Sequence, residues 1–367
     1  MATVAILGAG NGGFAAAADL SVREHRVVLW NRSAATIAPL VDGAPLSYDG
    51  VLGHGRVPLS LATTDLAAAV DGADMVLVCL PAYALAGVAR ALAPLLRPDL
   101  PVVLNPGGML GSLAFITELR AAGCAGDAWV GETATLTYIA RKTGPASVSV
   151  THVARDVPFA ALPATRTGRL VGLLSGVLPP LRPARDILDV GLASVNLVLH
   201  PPAMVLAAAW IERTGGDFAY YTDTATRSVA RLMARLDGER LAVAHAWRRD
   251  TPPFLDIFAA IGSTSPEAAA SGDFLRALVD SEPNRHIRAP ASLEHRYMRE
   301  DIPFGVVPLA SLGRAAGLAT PILDAIITIC STITGTDFRA TGRTLESLGF
   351  AAPAIDDLLA TLTGEVR

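Results

Sequence analysis

His200 follows Asn196 by four residues in the apolar run SVNLVLHPP (194–202). On a helix, residues four apart share one face, and polar side chains inside an apolar run must be hydrogen-bonded to something. An imidazole can give and take a proton near neutral pH, so the chemistry open to His200 is general acid/base catalysis. The plainer alternative is a hydrogen-bonded core histidine, and spacing leaves both open. Pro201 and Pro202 mark a helix start or kink at that point, with a helix expected over Ala203–Arg213. A second polar cluster, EHRYMREDIP (294–303), brings Arg296 and Asp301 close to Arg299 and Glu300. The last two read as a solvated helix end with capping acids. The other histidines show no partner pattern, and no HExxH-like spacing occurs, so no metal site is expected.

The N-terminus carries a different kind of chemistry. Gly8-Ala9-Gly10-Asn11-Gly12-Gly13 follows the run VAIL and opens a helical pattern. In such a GxGxxG loop the first glycine makes the tight turn. The second lets a pyrophosphate approach the backbone, and Gly13 lets helix and strand pack closely. The helix N-terminus then favours the phosphate charge. A dinucleotide is the expected ligand. The next strand ends at Asn31-Arg32-Ser33, where an acid would bind the ribose 2′-hydroxyl of NAD. Asn31 cannot repel a 2′-phosphate, and Arg32 and Ser33 could bind one, so NADP(H) is favoured over NAD(H). The competing reading of Arg32 is a solvated surface charge. Leu80-Pro81 and Asn105-Pro106-Gly107-Gly108 close two further strands, at the edge where open α/β sheets bind ligands. Ordinary loop chemistry favours the same residue types.

These residues need particular elements to position them. Thr3–Leu7, Arg26–Trp30, Leu59–Thr63, Met75–Leu80, Val102–Asn105 and Trp129–Glu132 read as strands. Between several of them lie helical stretches such as Phe14–Leu20, Ala82–Leu95 and Leu110–Ala122. The alternation implies a doubly wound, Rossmann-type α/β domain over residues 1–185. Ser147–Val153 and Val157–Leu162 read as a hairpin turning at Arg155-Asp156. The proline-rich stretch 178–183 marks a boundary region. Beyond it an all-α domain is expected over 186–367, with helices at Ala203–Arg213, Thr224–Trp247, Ala268–Leu278, Val307–Ala316 and Pro321–Thr332.

At 367 residues the chain has room for two domains. The net charge of −4 gives no reason to expect nucleic acid as a partner. Three scattered cysteines fit a reducing compartment rather than a disulfide framework. The longest apolar stretches, 193–211 and 318–334, are interrupted by polar residues or proline, and the N-terminus lacks a basic leader. The expectation is a cytoplasmic protein with no membrane partner.

The segments NPGG (105–108), ETATLTYIAR (132–141), NLVLHPP (196–202), IERTGGDFAYY (211–221), SVARLMARLDGERLAVA (228–244) and HRYMREDIPFGVVPLASLGRAAGLATP (295–321), together with GAGNGG, resemble the opine dehydrogenase (octopine/nopaline dehydrogenase) family over nearly the whole chain. The resemblance implies a reductive condensation of an amino acid or amine with a 2-oxo acid such as pyruvate, through an imine. It implies that His200 is the acid/base and Asp301 its orienting partner. Arg296 would reach the cofactor pyrophosphate as the domains close, and Glu132 and Thr135 would help bind the substrates. Asn105 and Asn196 join them as expected substrate contacts. The chain departs from the family at 205–210 (VLAAAW), Thr137, Ala140 and Arg227. Trp210 is expected to reshape the amino-acid pocket, and the departures leave the amine open. A homodimer is expected by analogy with helical second domains in this superfamily. Two rival readings remain: a ketopantoate-reductase-like reduction of a 2-oxo acid, and a non-catalytic NADPH-binding sensor.

Overall fold

The runs TVAIL, RVVLW, MVLV and PVVL are almost wholly apolar, which suits strands covered on both faces. In the computed structural model they form the centre of an eight-stranded sheet. The structure describes residues 1–350 apart from 125 and 127, and residues 355–364. The chain divides into two units. The first is Met1–Gly107 with Gly111–Ile187, and the second is Leu188–Arg367 with Gly108–Leu110.

Among the described residues the first unit contains twelve strands: β1 (Thr3–Leu7), β2 (Arg26–Trp30), β3 (Leu46–Gly50), β4 (Gly55–Val57), β5 (Leu61–Thr63), β6 (Met75–Val78), β7 (Pro101–Leu104), β8 (Trp129–Thr133), β9 (Tyr138–Gly144), β10 (Ser147–Val153), β11 (Val157–Leu162) and β12 (Leu181–Pro183). The large sheet runs β12-β11-β8-β7-β6-β1-β2-β5. From β5 to β8 every neighbouring pair is parallel, and β11 turns antiparallel to β8. Strand order reverses at β1, between β2 and β6, so the crevice beyond the carboxyl end of β1 is a topological switch point. The glycine loop sits there, between β1 and the Asn11–Val22 helix.

A second sheet, β4-β3-β10-β9, lies against that same helix. The expected hairpin of Ser147–Val153 with Val157–Leu162 does not form. The first run is β10, paired with β9 and β3. The second is β11, paired with β8 and β12. The burial pattern supplies the reason. VPFAAL is buried at every position and needs a sheet covered on both faces, whereas Val148 and Val150 alternate with more exposed neighbours. Asp156, at φ +53, turns the chain from one sheet to the other. With a sheet on either side, the first helix is buried from Gly12 to Ala18. Phe14 and four consecutive alanines fit the narrow space between the layers.

The second unit is helical, built around Val195–Thr214, Arg227–Ala246, Val307–Ala315 and Pro321–Thr334. Two expectations need correction. The helix carrying His200 begins at Val195 and runs through Pro201 and Pro202. The carbonyls of Leu197 and Val198 thereby lose their intrahelical donors, but packing on the Arg227–Ala246 and Pro321–Thr334 helices holds the segment helical. The single helix expected over Ala268–Leu278 is two, Pro266–Ala270 and Phe274–Val279. Gly272, at φ +69, ends the first, and Asp273 caps the second through the Leu275 and Arg276 amides. The stretch Ile187–Thr214 is long and apolar enough to cross a membrane by composition, but 78% of its most apolar window is buried inside the protein, as in a core helix.

The glycine loop yields a test that separates folding from binding. A Cβ on Gly13 would lie 1.7 Å from the Gly8 carbonyl oxygen, whereas one on Gly10 would meet nothing within 4 Å. Gly13→Ala is therefore expected to lower stability by about 1–3 kcal/mol. Gly10→Ala should keep the wild-type Tm and weaken dinucleotide binding by roughly tenfold or more. Thermal melts and cofactor titration of the two variants check both statements.

Candidate active site

In the first unit the candidate dinucleotide cradle is assembled from loop, strand end and neighbouring sheet. Gly8 adopts φ +114 and its amide donates to the Trp30 carbonyl, tying β1 to β2. Asn31 is bound on both sides: its Oδ1 accepts from the Ala9 amide at 3.2 Å, and its Nδ2 donates to the Ser33 carbonyl at 3.1 Å. Arg32 and Ser33 are exposed, at the start of the Ala34–Val41 helix. The open space over Gly10 is where a phosphate would approach the backbone. Gly12 contacts Leu136, and Leu80 packs near Gly8, with Pro81 leading into a short 3-10 turn.

Sequence reasoning missed Lys142. Its ammonium lies 3.2 Å from the Ala9 carbonyl and 3.8 Å above the Phe14 ring, and its amide donates to Asn11 Oδ1 at 2.9 Å. Burial lowers its pKa. Only the second sheet, itself not anticipated, brings β9 to the glycine loop, so the one-dimensional pattern held no signal for this lysine.

At the carboxyl end of β7, the Asn105 carboxamide is fully buried and engaged on both atoms. Nδ2 donates to Thr137 Oγ1 at 2.9 Å, and Oδ1 accepts from Thr133 Oγ1 and the Thr137 amide. It organises the 133–137 segment, on which Thr135 is also buried. Glu132 is buried too and accepts from the Ser112 amide.

The second unit holds a buried cluster around His200. His200 and Asn196 lie one turn apart on the Val195–Thr214 helix, Asn196 half-buried. His200 Nδ1 is 2.6 Å from Asp301 Oδ2, and both side chains are buried. His200 Nε2 is 2.8 Å from the Tyr221 hydroxyl, which is 2.9 Å from the Tyr297 hydroxyl. The Tyr297 ring stacks on the imidazole at 3.7 Å between centroids, and Tyr220 donates to the His200 carbonyl. Asp301 sits between the short Arg296–Arg299 helix and a π-turn over Ile302–Val306. That wide turn is held from outside itself: the Pro303 carbonyl accepts from the Arg343 amide, and the Phe304 carbonyl from the Met109 amide. Burial pushes the Asp301 carboxyl up, to about 8, against the pull of the Arg296 guanidinium.

Two sequence expectations change here. Glu300 is not a solvated capping acid. It is buried and pairs with Arg296 at 2.9 Å, and it holds that guanidinium firmly charged. Arg299 does pair at the surface, with Glu294. Trp210 lies ten residues beyond His200 on the same helix, about 15 Å along its axis, with 41% of its surface exposed and its ring stacked on Phe218. It does not join the His200 cluster. Tyr220, Tyr221 and Tyr297 do join it, and only the tandem YY and the RYM segment could have hinted at them. Among the described residues no cluster of His, Cys, Asp and Glu forms a metal site.

A glycine loop at the switch point of a parallel sheet marks a dinucleotide-binding domain, and here a helical unit with a buried His–Asp pair follows it. Residues 183–334 match the family described as NAD/NADP octopine/nopaline dehydrogenase, alpha-helical domain, and residues 3–119 match the N-terminus of NAD-dependent glycerol-3-phosphate dehydrogenase. An opine dehydrogenase of Arthrobacter sp. (strain 1C) is 34% identical over 349 residues, covering 95% of each chain. Octopine dehydrogenase, solved with NADH and L-arginine, superimposes with a TM-score of 0.78 at 20% identity, over 100% of this chain and 99% of that one. Yersinopine dehydrogenase with NADP+ gives 0.70 at 16%, over 99% and 98%. The chain belongs to the opine dehydrogenase family.

Asp301→Asn keeps the shape of the dyad but removes its carboxylate. Turnover is expected to fall by about 10²–10⁴-fold, with Tm unchanged or raised, because an amide costs less to bury than a carboxylate. Wild-type turnover in this variant would remove Asp301 from the reaction.

Proposed function

We propose that the protein is an NADP(H)-preferring opine dehydrogenase. It would condense an amino acid or related amine with a 2-oxo acid such as pyruvate and reduce the resulting imine. The observation that carries this reading is the buried hydrogen bond between His200 and Asp301. Carbinolamine dehydration needs a proton donor beside the reacting carbon, and imine reduction must proceed away from water. A buried imidazole supplies the proton, and a carboxylate on its far nitrogen fixes the tautomer and stabilises the imidazolium. The bound nicotinamide supplies the hydride. Arg296, kept charged by Glu300, is proposed to bind the cofactor pyrophosphate. Thr135, Glu132 and Asn196 are proposed to contact the substrates, with Asn105 shaping the segment that carries the first two. Octopine dehydrogenase complexes named for L-arginine and for pyruvate support the two substrate classes.

The cofactor preference rests on Asn31, Arg32 and Ser33. A neutral Asn31 places no carboxylate against a 2′-phosphate, and exposed Arg32 and Ser33 beside a helix start suit one. A cytoplasmic location and a homodimer belong to the same proposal. Three free cysteines support the first. Leu206 and Trp210, exposed one turn apart on a single helix, support the second.

Oxidation of NADPH with pyruvate, with and without a panel of amino acids, tests the reaction. Consumption that needs both partners is expected. Consumption with the oxo acid alone would indicate a plain ketoreductase, and tight NADPH binding without turnover a sensor. Arg32→Ala is expected to weaken NADPH far more than NADH, and equal weakening would end the case for NADP. The condensation consumes a proton held by the dyad, so its rate should fall as pH rises through the raised value of Asp301, about 8. The reverse oxidation should improve over the same range. Rate profiles in both directions check the sign.

A further inference from the structure

This inference rests on the acid/base role proposed for His200. With Nδ1 committed to Asp301, the ring has one nitrogen left for exchange with a substrate. That nitrogen is already occupied by the Tyr221 hydroxyl at 2.8 Å, which the Tyr297 hydroxyl meets from the other side at 2.9 Å. All four groups are buried. The stacked Tyr297 ring and the Tyr220 hydrogen bond to the His200 carbonyl hold the imidazole against turning away.

We propose that Tyr221 is a catalytic residue: its hydroxyl delivers the proton to the substrate, and the His200–Asp301 pair reloads it. A phenol carries one proton and can accept others, so the chain has two ordered states. With a neutral imidazole, Nε2 accepts the Tyr221 proton, and Tyr297 donates to the Tyr221 oxygen. With an imidazolium, Nε2–H donates to the Tyr221 oxygen, and the phenol's own proton is released to point away from the histidine. The charge on the dyad therefore sets which way the phenol proton faces. In carbinolamine dehydration the substrate nitrogen forms the C=N bond with its lone pair as the C–O bond breaks. The leaving hydroxyl takes the Tyr221 proton and departs as water. Tyr221 takes the Nε2 proton, and His200 ends neutral with its Asp301 bond intact. One proton is consumed, one iminium and one water form, and nothing is oxidised or reduced in this step.

The test uses the full-length protein and its Tyr221→Phe and Tyr297→Phe variants. Three readouts are kcat, a proton inventory in H₂O/D₂O mixtures and the ¹⁵N shift of His200 Nε2. Tyr221→Phe should lower kcat by about 10–100-fold while leaving the Kd for NADPH unchanged. It should straighten a bowed wild-type inventory and move the Nε2 resonance. Tyr297→Phe, which removes only the second hydroxyl, should cost less. A linear inventory in the wild type overturns the relay whether or not the variants fold. So does a Tyr221→Phe enzyme with wild-type kcat and inventory. If the wild type is silent with every amine and oxo-acid pair, the proposed reaction fails. The Nε2 shift then still decides the hydrogen bond at issue, and a shift unmoved by Tyr221→Phe overturns this proposal on its own.

Discussion

A carboxyl group removed from water has to be matched, because an unpaired buried charge is far more costly than any single contact can offset. Asp301 meets that demand with the His200 imidazole at 2.6 Å and with the Arg296 field nearby. Much of the helical unit follows from keeping this arrangement dry. The His200 helix must run unbroken through two prolines, the π-turn after Asp301 must find distant donors for its carbonyls, and three tyrosines must close around the ring. Glu300 pairs with Arg296 in turn, so the guanidinium beside Asp301 has a buried carboxylate of its own.

The first unit answers a different constraint, that of bringing a backbone close to a phosphate. A helix clamped between two sheets can present its first turn in a fixed place, but only if its side chains are small. The run of alanines after Phe14 meets that requirement. The second sheet also reaches the loop itself, since the Lys142 amide bonds Asn11 at the start of the helix.

Reading the sequence located the glycine loop, the parallel sheet and the helical second half, and singled out His200 and Asp301, which the structure places in contact, because each leaves a local mark: a glycine spacing, an apolar run, a resemblance carried by long segments. What it lost was non-local. Whether VPFAAL joins β10 or β8 depends on which faces are covered, and no turn signal at Arg155-Asp156 encodes that. Glu300 looks like any charged residue at a helix end until the fold buries it. Tyr221 stands twenty-one residues from His200, and its meeting with Nε2 depends on how the helices of the unit pack, which periodicity does not reveal. Trp210 shares the His200 helix, yet ten residues carry it several turns away and onto the surface, a separation that the sequence does not display.

Asn31 joins two jobs that are usually considered apart. Its oxygen closes the glycine loop through the Ala9 amide, and its nitrogen fixes the start of the next helix through the Ser33 carbonyl. A carboxylate at this position could still accept the first bond but has no proton for the second. An Asn31→Asp change would therefore loosen the turn in the same step that changes the charge. One side chain thus ties the glycine loop to the start of the next helix, so a change at this position reaches both at once.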